Sequence, residues 1–234
     1  MVKNILFRAD SSSLIGTGHI IRDLTFSSKY KNSNIIFAVR ELDGNINYKI
    51  KEYGYKVEVL KSIRIEELIN LIKTKVPIDI LVNCAGIFPV KLLSDSTVED
   101  FEKCFSVNVK AAFILSKEFS QEMISKKWGR IINIASSGAY NGLKNTAIYR
   151  SSKHALLGLS RSLHNELKEF NVRTFCISPG PIKTDMGKDI VKKENPNENY
   201  DTFMKPNEIA EFIIFAISFD NNLISSEVRL GRIK

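Results

Sequence analysis

Short apolar segments rich in β-branched residues recur along this chain, and between nearly every pair runs a stretch with apolar residues at helical spacing. The strand-like segments are residues 4–8, 34–39, 56–60, 78–82, 130–135, 173–178 and 227–230. Helical patterns cover residues 19–28, 45–53, 65–73, 98–126, 149–169 and 206–218; in the third of these, Ile65, Leu68, Ile69 and Ile72 make the apolar face. Strands that alternate with helices must run parallel, because each helix carries the chain back to the starting edge. The spacing therefore predicts an α/β fold, a doubly wound parallel sheet of Rossmann type in one three-layer domain. At 234 residues the chain is long enough for one such core, and neither a linker nor a repeat divides it.

Charge and cysteine usage limit the classes of function. The net charge of +8 comes from lysines scattered among Asp and Glu, with no basic block beyond pairs such as Lys126-Lys127 and Lys192-Lys193. That pattern reads as a solvated surface suited to anionic nucleotides or sugar nucleotides, and we expect neither nucleic acid nor membrane as a partner. The start of the chain has no long apolar stretch of secretory type, and no apolar run approaches the roughly 20 residues that span a bilayer. Cys84, Cys104 and Cys176 stand far apart, as buried small hydrophobes in a reducing, cytoplasmic compartment would, and they make poor metal ligands.

In open parallel sheets, ligands bind beyond the carboxyl ends of the strands. The loops to inspect are those after Arg8, Val39, Val82, Ala135 and Ser178. After the fourth strand comes Asn83-Cys84-Ala85-Gly86, where glycine lets a backbone approach a ligand. After the fifth comes Ser136-Ser137-Gly138, and thirteen residues past Ser136 stands Tyr149, with Lys153 one helical turn later. The i,i+4 spacing puts phenol and ammonium on one helix face. Moving a hydride to or from a carbon requires a proton to move on the attached oxygen. A tyrosine with pKa about 10 is a poor base at neutral pH, and a nearby ammonium would lower it. A serine hydroxyl would hold and polarise the substrate oxygen. Asn108, inside Phe105-Ser106-Val107-Asn108-Val109, would complete a water relay to solvent.

From about residue 77 onward, and by its motifs as far as residue 218, the chain resembles the short-chain dehydrogenase/reductase family. The stretches that carry the likeness are residues 80–86, 129–138, Tyr149-x-x-x-Lys153, and Pro179-Gly180 through Thr184. The resemblance implies Tyr149 as the acid/base, Ser136 as partner of the substrate oxygen, Lys153 as both tuner of Tyr149 and holder of the nicotinamide ribose, and Asn108 as fourth member. It implies that Asn83, Ala85, Gly86, Pro179, Gly180, Ile182 and Thr184 line an NAD or NADP cofactor, with residues 185–205 as a mobile substrate lid. Helices over 109–126 and 149–169 would form a homodimer or homotetramer interface.

The first part of the chain departs from that pattern. The family opens with Thr-Gly-x-x-x-Gly-x-Gly, whose glycines admit a pyrophosphate to a helix N-terminus. Here a longer turn keeps Gly16 and Gly18 as the cofactor-facing glycines. The family's aspartate after the third strand is replaced by Leu60-Lys61-Ser62-Ile63, and its Asp-Gly-Gly ending by residues 225–234. Residues 1 to about 75 instead resemble the N-terminal part of a pseudaminic acid pathway UDP-sugar hydrolase, through residues 7–23 and 66–72, which implies His19 as an active-site acid/base. The join falls near residues 76–80, inside one continuous sheet. Arg40, at the end of the second strand, favours the 2′-phosphate of NADP over NAD. Three readings follow: an NAD(P)-dependent oxidoreductase acting on a small polar substrate, a surface-glycan sugar among them; a UDP-sugar hydrolase-like protein; or a non-catalytic scaffold with an impaired cofactor turn.

Overall fold

A computed structural model of the chain describes residues 2–10, 18–30, 32–60, 69–70, 72, 76–184, 187–188, 199–219 and 225–232. Among these, seven parallel strands form one sheet in the order β3-β2-β1-β4-β5-β6-β7. They are β1 (Lys3–Arg8), β2 (Ser33–Arg40), β3 (Lys56–Leu60), β4 (Ile80–Asn83), β5 (Gly129–Ile134), β6 (Val172–Pro179) and β7 (Glu227–Leu230). The helices are α1 (Gly18–Lys29), α2 (Asn47–Glu52), α3 (Val98–Phe105), α4 (Ala111–Ser125), α5 (Ala147–Leu167) and α6 (Pro206–Ser218).

Alternation along the strands builds the two faces. Ile5 and Phe7 point to one side, with Phe37 stacked on Phe7 at 5.0 Å and Phe26 of α1 edge-on at 5.2 Å. Ile20 and Leu24 of α1 and Ile209, Ile213 and Ile217 of α6 cover that side. Leu6 points to the other, under Leu115, Phe119 and Met123 of α4. Strands buried on both faces read as nearly unbroken apolar runs, which is why they were legible in the sequence.

The helix boundaries have local causes. Thr97 caps α3 by accepting from Asp100 N at 3.1 Å, while the Asp100 carboxylate accepts from Thr97 N at 3.1 Å. Pro206 opens α6, and Glu208 accepts from Lys205 N at 2.7 Å. Asn171, with φ 56°, turns the chain out of α5 into β6. The helix expected over 98–126 contains a π-turn, Ser106–Lys110, between α3 and α4. Pairing of β4 begins at Ile80 rather than at 78, because Asp79 takes the Asn4 N–H with its carboxylate at 2.9 Å. Of the expected helix 65–73, Ile69, Asn70 and Ile72 are described; they are helical, with Ile69 and Ile72 buried, and the rest lies outside the described residues. No described helix is long and apolar enough to cross a membrane.

Candidate active site

The sheet order reverses between β1 and β4, and at this switch point the loops from neighbouring strands part to leave a crevice. A cavity of about 180 Å³ lies there. Gly18 of α1, Gly86 after β4 and Ser136 after β5 line it, with Tyr149 and Lys153 of α5. Pro179, Gly180, Ile182 and Thr184 at the end of β6 close the opposite wall, and His19 joins from α1. Residues from five separate stretches of sequence thus share one space.

Ser136 leaves β5 extended, and its hydroxyl accepts from Gly138 N at 3.0 Å, which turns the chain before α5. The Tyr149 ring packs edge-on against Phe88 with centroids 4.0 Å apart, which fixes its tilt. Burial pushes the Tyr149 hydroxyl above its ordinary value; a hydrogen bond with Ser136 and the charges of Arg150 and Arg22 pull the other way without offsetting it. Lys153 lies 5.8 Å from the Tyr149 ring centroid, and its ammonium donates to Ile134 O at 2.9 Å. Burial, with Arg22 beside it, brings Lys153 down to about 8. Lys153, expected to lower Tyr149, is tied here to the end of β5, while the Tyr149 hydroxyl stands above its ordinary value.

Four residues expected at the cofactor or the relay have hydrogen bonds within the fold. The Asn83 amide donates to Asn133 Oδ1 at 2.8 Å, and Asn133 to Ser160 Oγ at 2.9 Å, a buried ladder from β4 through β5 to α5. Ala85 N donates to Arg8 O at 2.9 Å, which holds the loop after β4 against β1, and neither Asn83 nor Ala85 lines the cavity. Asn108, 1 % exposed, accepts from Ile87 N at 2.8 Å and donates to Ile87 O at 3.0 Å and Ser152 Oγ at 2.9 Å. Its amide joins the π-turn to the β4 loop and α5, which positions that loop beside the site. Arg40 donates from Nε to Asp10 Oδ2 at 2.8 Å, with Nη2 at 2.8 Å from the same oxygen. Gly16 lies outside the described residues, as do most of the expected lid residues; of the remainder, Gly187 and Phe203 line the cavity.

Sequence reasoning missed Arg22. It sits one turn past His19 on the same face of α1 and lines the cavity while only 6 % exposed. Its Nη2 donates to Cys84 Sγ at 2.8 Å. Burial pushes the Cys84 thiol up to about 12 and raises Asp23 to about 7 although Arg22 opposes the latter. Burial, then Arg22 and Lys153, press His19 down to about 3, so its imidazole is neutral across the physiological range. The i,i+3 spacing of His19 and Arg22 was the available signal. No group of three His, Cys, Asp or Glu among the described residues is placed to hold a metal ion.

The residues of the cavity can be tested for a nicotinamide cofactor. A Cβ added at Gly86 would lie 3.5 Å from Lys153 Nζ and 3.5 Å from Asn108 Oδ1, so glycine keeps that wall open beside the ammonium. Lys153 spends one donor on Ile134 O, and Arg22 Nε is buried without a partner, donors that fit a hydroxyl- and phosphate-rich ligand. At the other end, a Cβ on Gly18 would meet Thr184 Cγ2 at 2.4 Å, so α1 abuts the β6 loop directly.

Comparison with known proteins agrees with the architecture. The model of the short chain dehydrogenase family matches residues 27–195, beginning well ahead of the stretch at 77 where the sequence motifs become legible. The chain is 33% identical over 199 residues to the 3-oxoacyl-(acyl-carrier-protein) reductase FabG of Aquifex aeolicus, covering 82% of this chain and 79% of that one. It is 32% identical over 180 residues to the 2,3-dihydro-2,3-dihydroxybenzoate dehydrogenase of Bacillus subtilis, covering 70% and 69%. A 4-hydroxyisoleucine dehydrogenase complexed with NADH superposes with a TM-score of 0.78 at 27% identity, over 97% of this chain and 96% of that one. On the sheet order, the cavity and these matches, the chain belongs to the short-chain dehydrogenase family of oxidoreductases.

Proposed function

We propose that the protein is an NAD(P)-dependent reductase of a small polar carbonyl compound, with Tyr149 as the acid that protonates the substrate oxygen. The observation that carries this reading is the meeting of Ser136, Tyr149 and Lys153 on one cavity at the switch point. The nicotinamide, when bound, supplies the hydride. Lys153, with donors left beyond Ile134 O, would hold the ribose, and Gly86, Gly180 and Ile182 would flank the ring. Ser136 would accept or donate at the substrate oxygen and fix it beside the phenol. A phenol that burial keeps protonated is set to give a proton, which supports reduction as the working direction. Hydride transfer from NADPH and NADH over a carbonyl panel tests the reading. Tyr149→Phe is expected to lose about 10²–10⁴-fold in rate; a variant as active as the wild type would end it.

Finer points rest on single observations. NADP stands ahead of NAD because Arg40 keeps Nη1 outside its bonds to Asp10, and equal KM values for the two cofactors would remove that preference. The sugar of surface-glycan synthesis follows from the resemblance of residues 1–75 to a nucleotide-sugar hydrolase. The hydrolase reading itself is favoured by His19, which lines the cavity; it predicts UDP release from an aminosugar nucleotide, abolished in His19→Ala. We further place the protein in the cytoplasm as a homodimer or homotetramer through α4 and α5, where Phe113 is 48% exposed; a monomer by light scattering would refute the assembly.

A further inference from the structure

The cavity holds a cation that the proton transfer does not use. Arg22 is 6 % exposed and faces the cavity, yet its one hydrogen bond among the described residues goes to the thiol of Cys84, and its Nε has no partner. A buried guanidinium without a bonded carboxylate is costly to keep, because a thiol cannot replace the water or counter-charge it has lost. The adjacent Asp23 meets the same Cys84 thiol and leaves Oδ2 without a partner, so its charge acts on Arg22 across the thiol and not through a bonded ion pair. Residues 11–17, which lead into α1, contain no acidic side chain.

A second cation shares the space: Lys153 brings an ammonium from α5. The N-terminal end of the twelve-residue α1, with its partial positive charge of about half a unit, lies in the cavity wall at Gly18, against Thr184. Two full charges and a helix end exceed what one carboxylate neutralises, and match an anion with two negative charges.

We propose that Arg22 and the N-terminal end of α1 form a receptor for the diphosphate of a nucleotide ester, the planar guanidinium gripping it from inside the cleft. Two ligand sources share this chemistry, a nicotinamide dinucleotide and a nucleoside-diphosphate sugar; the first rests on the proposed reductase function. The receptor would do with a side chain what the family's glycine-rich turn does with backbone N–H groups.

Calorimetric titration of the full chain with inorganic pyrophosphate, NADPH, NADH and UDP-N-acetylglucosamine tests it, alongside thermal melts of R22M and R22K. Wild type is expected to bind pyrophosphate saturably, in competition with one of the nucleotides. R22M should lose at least tenfold in both, with no fall in the Tm of the free protein, since the variant removes a buried charge that no carboxylate bonds among the described residues. R22K, which keeps the charge without the fork, should recover part of the affinity, and it carries the test if R22M does not fold. Arg22-dependent binding of the UDP-sugar alone would uphold the receptor and overturn the reductase reading. Binding of NADPH that R22M leaves unchanged would do the reverse. Absence of any diphosphate binding at millimolar concentration would overturn the receptor outright.

Discussion

Asp10→Ala is predicted to be among the most damaging single substitutions outside the hydrophobic core. The carboxylate is 1 % exposed and ties the carboxyl ends of β1 and β2. Arg8 Nη1 lies 2.8 Å from Oδ1 and Nη2 donates to Oδ2 at 2.9 Å. Arg40 adds its Nε bond to Oδ2 at 2.8 Å and its backbone N–H to Oδ1 at 2.9 Å. Removing one partner of a buried pair costs about 3–5 kcal/mol, chiefly because the other charge stays buried, here that of Arg8 at 5 % exposure. For a domain of this size each kcal/mol corresponds to about 2–4 °C, so Tm should fall by roughly 6–20 °C. Urea unfolding at several pH values supplies the assay. Burial alone would raise the Asp10 carboxyl, but Arg8 and Arg40 outweigh it and hold the group below its ordinary value. A depressed carboxyl contributes stability that is complete above the unfolded value, near 3.9, and is lost as pH falls through the folded one. The gap between wild type and Asp10→Ala should therefore be full at pH 7 and narrow below about pH 4. A loss under about 1 kcal/mol at pH 7, or a gap unchanged down to pH 3, would refute the reasoning.

Further outcomes follow from the site. Asn108→Ala should cost about 2–4 kcal/mol in urea unfolding, because the Ile87 N–H and C=O both lose their partner, and catalysis should fall with it; unchanged stability would remove the positioning role. The depressed His19 lets the unfolded chain bind a proton that the folded one refuses below pH 6.5, so stability should fall from pH 6.5 toward 3, and His19→Gln should flatten that slope. Lys153, brought to about 8, should leave cofactor affinity falling as pH rises through 8, a trend absent in Lys153→Met. Iodoacetamide should leave Cys84 unmodified in the native protein at pH 7.5, since its buried thiol is held near 12; rapid labelling without unfolding would contradict its placement.

The sequence alone determined the alternation of strand and helix and the parallel sheet, because apolar periodicity is local and survives in one dimension; i,i+4 spacing put Tyr149 and Lys153 on one helix face, and the family resemblance joined Ser136 to them. It also placed Gly86, Pro179, Gly180, Ile182 and Thr184 at strand ends, where the cavity opens. Only the tertiary structure decided where the charges went. Arg40 meets Asp10 across 30 residues, Asn83 meets Asn133 across 50, and Arg22 reaches Cys84 across 62. A polar side chain goes to whichever partner the packed chain brings within about 3 Å, and burial makes that choice costly to refuse. For the same reason the phenol of Tyr149 answers to its burial more than to the ammonium one turn away, a balance that no spacing in the sequence records.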